Sequence, residues 1–270
     1  MAMRIWHQSF TVLADVPGYE DAMRRHLTKV VRNDTDIVFH GQLDGTYPGN
    51  YPGDDIAYSY LYGMHGHQWV AAGRAAARDG FDAYAMCTLP NPMLRELRSL
   101  LDIPVIGLGE TSCHLATMFG QRFVIMLFID RMASLYHEQM RMYGLAERCA
   151  GVRASGLAFA DILGGFADPA PVLTRLQEAV RRIVRETGAD VVIPGEVPMN
   201  LLLAINGVNR VDDVPLIDSL ACTMKMAELM VDLRRATGIA HSRQGWFNAT
   251  PSQERVDQVA SFYGVDRLGF

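Results

Sequence analysis

The sequence predicts an α/β protein of two pseudo-symmetric lobes, each a mainly parallel sheet flanked by helices, with the active site in the interlobe cleft. Three observations predict it. Short β-rich runs alternate with longer amphipathic segments, the pattern of parallel sheets covered by helices. One stretch of that alternation occurs twice. At 270 residues, with 49% apolar and 20% charged composition, the chain is long enough for two compact lobes and unlike a disordered or coiled-coil protein.

Local pattern assigns each element. Residues 4–6 open as a strand, 18–31 space apolar side chains along one helical face, 36–39 form a strand and 66–78 an Ala-rich helix. The buried strand 83–86 runs into the turn Cys87-Thr88-Leu89-Pro90-Asn91-Pro92, a short helix over 93–100 and a strand over 104–107. A helix over 110–119 ends at Gly120. The pattern restarts with a strand over 123–129, helices over 131–143 and 169–186, and a strand over 191–193. Leu216 and Ile217 then precede a helix over 222–235. The lobes are expected at residues 1–109 plus 218–270 and at 110–217.

The segment 41–55, rich in Gly, Pro, Asp and Tyr, excludes a helix or central strand and reads equally as a lid or a surface excursion. The tail after Gly238, with Trp246, Phe247 and a helix capped at Ser252, is expected to dock on the body or on a neighbouring subunit.

A net charge of −5 lacks the basic footprint of a general nucleic-acid binder. No apolar run long enough to span a membrane occurs, and the N-terminus has no secretory pattern. Cys87, Cys113, Cys149 and Cys222 show no CxxC spacing, so they read as reduced thiols in a cytoplasmic protein. His65 and His67 stand at alternate positions of a helix without a third ligand nearby, so no metal site is assigned. The expected partner is a small-molecule carboxylate or cyclic amide, with no nucleic acid, no membrane and a homo-oligomeric assembly.

The repeat points to the site. Residues 82–116 read as strand, Cys87-Thr88-Leu89-Pro90-Asn91, short helix, then Ile103-Pro104-Val105-Ile106. Residues 190–227 repeat that order with Glu196-Val197-Pro198-Met199-Asn200 and Val214-Pro215-Leu216-Ile217. Ligands of open parallel sheets bind beyond the carboxyl ends of strands, where Cys87 and Glu196 stand. Two lobes related by a pseudo-twofold axis would bring them to a ligand from opposite faces. Each loop leads to a helix start whose amides could hold an anion and lower a thiol pKa.

These stretches, with Arg95-Glu96-Leu97, Gly107, Glu110, His114, Gly120-Gln121-Arg122-Phe123, Gly188-Ala189-Asp190 and Asp218, resemble the aspartate/glutamate racemase superfamily, closest to its hydantoin and allantoin racemase branch. The resemblance covers most of the chain. It implies two α/β lobes and a cofactor-independent racemase in which two cysteines act on opposite faces of Cα. Cys87 matches the first thiol. The second falls at Glu196, within Gly195-Glu196-Val197-Pro198-Met199, and the family's Asn-Pro-Asn-Thr-like first loop reads His7-Gln8-Ser9-Phe10 here.

A Cys/Glu pair can exchange protons on two faces if the thiol pKa is lowered and the carboxyl pKa raised. That is the isomerase reading. In a hydrolase, Cys87 would attack a carbonyl and Glu196 would activate water; a decarboxylase ranks below both, and a catalytically silent small-acid binding protein is a further alternative. His7, Gln8, Ser9, Thr88, Leu89, Thr111, Val197 and Pro198 are expected around the substrate. Thr88, Thr111, Ser112 and Ser219 also suit helix caps, and His114 suits a pairing with Glu110 across one turn. Cys113, Cys149 and Cys222 read as packing residues.

Overall fold

Alternating runs become alternating elements. This computed structural model describes residues 2–270. Its first half runs β1 (Met3–Gln8), α1 (Pro17–Val30), β2 (Thr35–His40), α2 (Gly53–Ile56), α3 (Ser59–Arg78), β3 (Ala83–Met86), α4 (Leu94–Leu100), β4 (Val105–Gly107) and α5 (Leu108–Phe119). Next come β5 (Phe123–Leu127), α6 (Ala133–Met142), β6 (Cys149–Ala154), α7 (Phe159–Gly164), α8 (Pro169–Thr187), β7 (Val191–Pro194) and α9 (Val197–Ile205). A small hairpin, β8 (Arg210–Val211) and β9 (Val214–Pro215), precedes α10 (Ser219–Thr237), and α11 (Gln253–Phe262) lies in the tail.

Two parallel sheets result, ordered β2-β1-β3-β4 and β6-β5-β7. A parallel bridge from Val192 to Leu216 gives the second sheet the counterpart of β4, so both halves share one strand order. Parallel strands are covered on both faces. Along β5, Ile125 joins the core that includes Ile5 and Leu97, while Val124 and Met126 join Leu176 and Met199 on the other face.

The duplicated sequence is duplicated in space by two asparagines. Asn91 stands four residues after Cys87; its Oδ1 accepts from the Gly109 amide at 3.1 Å and its Nδ2 donates to the Tyr143 hydroxyl at 2.9 Å. Asn200 stands four residues after Glu196; its Oδ1 accepts from the Leu220 amide at 3.2 Å and its Nδ2 donates to the Ile217 carbonyl at 3.3 Å. Gly109 and Leu220 are the second residues of α5 and α10, where amides lack partners within the helix. Each asparagine therefore ties one loop to the next helix, and α5 packs on α10.

The loop after β3 is held from several sides. The Pro90 carbonyl accepts from the Tyr62 hydroxyl at 3.0 Å and from the Gln139 amide. Asn91 takes a left-handed φ of 47°, a conformation that persists where surroundings fix it. A Cβ at Gly109 would stand 2.1 Å from the Leu89 carbonyl oxygen, so only glycine permits this approach.

Several boundaries differ from the pattern-based expectation for physical reasons. The strand expected over 123–129 ends at Leu127 because the next two amides turn to a carboxylate. Asp218, not Ser219, caps α10, its Oδ1 accepting from the Ala221 amide at 3.1 Å; α5 has no side-chain cap. Glu110 binds Arg98 at 2.5 Å instead of His114. Residues 53–56 of the 41–55 region and its edge make one helical turn. Strand β6 and helix α7 were not anticipated: β6 contains Gly151 at φ 146° and a register shift, so its alternation is broken.

The tail docks on the body. Arg243 donates to the Arg98 and Leu101 carbonyls, each at 2.7 Å, and Arg74 pairs with Asp257 at 2.6 Å. All four cysteines are free. Among the described residues no helix is long and apolar enough to cross a membrane.

Replacing Asn91 or Asn200 by Ala removes two hydrogen bonds and strands a helix-start amide. Each variant is expected to lose about 1–3 kcal/mol in urea titration. Unchanged midpoints would show that the asparagines do not brace the two halves.

Candidate active site

Neighbouring strands whose connections leave in opposite directions open a crevice at their carboxyl ends. That point falls between β1 and β3 in one sheet and between β5 and β7 in the other. One cavity takes its walls from all four ends: Ser9 and Phe10 after β1, Cys87 to Pro90 after β3, Phe128 and Ile129 after β5, and Gly195 to Pro198 after β7. Its volume is about 60 Å³, room for about two waters.

Cys87 is the first residue beyond β3 and is buried, with its backbone amide donating to the Gln8 carbonyl at 2.8 Å. Burial pushes its thiol well above the ordinary cysteine range, outweighing a backbone hydrogen bond from Gln8. The expected lowering does not occur, because the following helix starts only at Leu94 and its amides do not serve the sulfur.

The Glu196 carboxyl pKa moves in the expected direction. It is the N-cap residue of α9 and is 8% exposed. The Phe128 amide donates to both carboxylate oxygens at 3.1 Å and the Ile129 amide donates to Oε1 at 3.1 Å. These bonds favour the charged form, but burial dominates and pushes the pKa up to about 8, helped by the nearby charge of Asp130. The close packing depends on Gly195, where a Cβ would meet the Met126 carbonyl oxygen at 2.9 Å.

The segment expected as lid or excursion reaches the cavity. Tyr51, Pro52 and Gly53 line it, and the Tyr51 ring stacks on Phe159 of α7, centroids 4.4 Å apart. The stack joins the two halves over the site. The segment is tied down behind by His65 to Asp55 at 2.9 Å and by Gln68, which accepts from the Leu43 amide at 2.9 Å and donates to Thr46 Oγ1 at 2.9 Å. Tyr19, of α1, also lines the cavity; it was not singled out from the sequence, because it lies within an amphipathic helix.

Of the expected substrate-contacting residues, Ser9, Thr88, Leu89, Val197 and Pro198 line the cavity, and His7, Gln8 and Thr111 do not. His7 pairs in register with Ala85, two residues short of Cys87, so it lies below the strand ends. It is fully buried, with burial pushing its pKa down to about 3. Gln8 points to the other face, accepting from Trp6 Nε1 at 2.9 Å and donating to the Gly41 carbonyl at 2.6 Å. Thr111 is buried in a helix whose start is covered by the Asn91 loop. Among the described residues no group of three or more His, Cys, Asp or Glu is arranged to hold a metal.

Known proteins share this fold. Residues 18–227 match the family described as Asp/Glu/Hydantoin racemase. A hydantoin racemase of Pseudomonas sp. (strain NS671) is 26% identical over 227 residues, 84% of this chain and 85% of that protein. A hydantoin racemase of Paenarthrobacter aurescens is 27% identical over 174 residues, 63% of this chain and 70% of its own. An allantoin racemase structure from Klebsiella pneumoniae has the same fold, with a TM-score of 0.76 at 23% identity over 93% of this chain and 95% of its own. With the fold shared and most of the chain matched, the protein belongs to the Asp/Glu/hydantoin racemase family and is an isomerase of the racemase type.

Proposed function

We propose that this protein racemises a small cyclic amide of the hydantoin type, moving a proton between opposite faces of the stereocentre with Cys87 and Glu196. The observation that carries the reading is that one thiol and one carboxyl, at equivalent strand ends of the two repeats, line one buried cavity. In this reading each lobe, 1–109 plus 218–270 and 110–217, supplies one of the pair.

The walls favour a neutral ligand. Among the described residues no Lys, Arg or His lines the cavity, so an amino acid's carboxylate would find no cationic partner there. Tyr51, Phe128 and Phe159 offer aromatic faces instead. A cyclic amide is uncharged and compact, and its ring carbonyl already acidifies the proton on the stereocentre. The hydantoin racemase relatives agree with that choice.

Proton transfer proceeds in one balanced cycle. The Glu196 carboxylate takes the proton from carbon as the electron pair moves into the adjoining carbonyl, and the Cys87 thiol gives its proton to the other face. Glu196 is left protonated and Cys87 as thiolate, the pair that the mirror-image substrate uses in reverse. The racemase relatives favour this cycle over thiolate attack on a carbonyl.

Cys87→Ser and Glu196→Gln are each expected to lower kcat on a 5-substituted hydantoin at least ~100-fold with melting temperature retained. Chiral chromatography reads the rate, and wild-type turnover in either variant contradicts the assignment. Because the carboxyl pKa is raised, Glu196 holds its proton below about 8 and cannot accept another. When Glu196 acts as the base, kcat/KM should climb about tenfold per pH unit below that value and level above it. A profile flat from pH 5 to 9 would remove Glu196 from that role.

A further inference from the structure

Tyr19 stands in the first turn of α1, 5% exposed, with its ring edge-on to Phe166 at 5.9 Å. Its hydroxyl is buried and has no hydrogen-bond partner. Buried phenols ordinarily find one. Tyr136, in the same cavity, donates to the Met132 sulfur, and Tyr62 donates to the Pro90 carbonyl. Other buried polar groups without partners, such as those of His7, Gln42, Tyr47 and Trp69, lie away from this cavity. Among the described residues, Tyr19 alone joins an unpartnered buried polar atom to a place in the wall shared by Cys87 and Glu196.

We infer that Tyr19 is a third catalytic residue: its O–H donates to the carbonyl oxygen beside the stereocentre and stabilises the enolate formed when the proton leaves carbon. The inference rests on the proton-transfer reading above. As the C–H bond breaks, its electron pair moves to the carbonyl oxygen, where negative charge develops and the hydrogen bond strengthens. When the opposite acid delivers a proton to carbon, the pair returns and the bond weakens. Tyr19 keeps its own proton throughout.

Two features suit it to that duty. A fixed donor needs no reorganisation as charge forms, the condition under which such donors contribute most to rate. Burial, with the neighbouring Cys87, also holds the phenol protonated far above its ordinary range, so it stays a donor. The role further restricts the substrate: the stereocentre must carry a carbonyl on one side, as the ring carbon of a hydantoin does.

The test is Tyr19→Phe, assayed with one enantiomer of 5-methylhydantoin beside wild type and Cys87→Ser. We expect kcat to fall about 100-fold, the scale of losing one oxyanion donor, with KM changed less than about threefold. Melting temperature should not drop, since the ring and its packing remain. Phe166→Leu, which loosens the ring without touching the hydroxyl, should lose less than tenfold; an equal loss would make Tyr19 a packing residue. A Tyr19→Phe kcat within tenfold of wild type, or a loss carried by KM alone, overturns the role while an inactive Cys87→Ser leaves the proton-transfer pair standing. Silence of the wild-type enzyme on 5-substituted hydantoins sinks that pair and the Tyr19 role together.

Discussion

Desolvation of one carboxyl, offset only in part by two backbone amides, governs the shape and the chemistry of this site. Glu196 draws the Phe128 and Ile129 amides to itself, which ends β5 at Leu127. The approach requires glycine at 195, and α9 begins directly after the carboxyl-bearing residue. With no cation among the described residues lining the cavity, burial outweighs those hydrogen bonds and brings the pKa into the working range of a base. In the wall of the same cavity, burial without a helix start moves the Cys87 thiol in the same upward direction. In the proposed cycle the ionised Glu196 takes the proton from carbon while the protonated Cys87 gives one to the other face.

Aromatic side chains supply part of the wall. The Tyr51–Phe159 stack spans from the 41–55 segment to α7 and lines the cavity with one aromatic from each half. His65 and Gln68 on α3 hold that segment from behind, so wall and anchor come from different residues. The loop that carries Cys87 is fixed more firmly, by Asn91, Tyr62, Gln139 and the bare backbone of Gly109. A multiply anchored loop and a segment tethered from behind share the wall of the cavity. That division suits a site in which geometry decides rate and access decides turnover.

Sequence alone disclosed the alternation, the repeat and the two residues at equivalent strand ends, because periodicity and turn residues are local signals. The repeated asparagines were visible in the same comparison, but their hydrogen bonds to Gly109 and Leu220 connect residues about twenty positions apart and needed coordinates. His7 was placed on the cleft edge because it ends the apolar run of β1; sheet register sets it a step too low. Thiol lowering failed for a comparable reason, since local pattern shows that a helix follows but not how far its first turn lies from the sulfur. Tyr19 was hidden because an aromatic on an amphipathic face looks the same whether its hydroxyl meets protein or ligand.

Isotope transfer during the first turnover tests the opposed thiol and carboxyl most directly. Starting from one pure enantiomer in D2O, two acids on opposite faces place a single deuterium on the newly formed enantiomer while the remaining substrate keeps protium. Mass spectrometry after chiral separation, at under about a tenth of conversion, resolves the two pools. Deuterium appearing equally in both pools from the start would mean that one exchangeable group serves both faces, and Cys87 and Glu196 could not then be working as a facing pair.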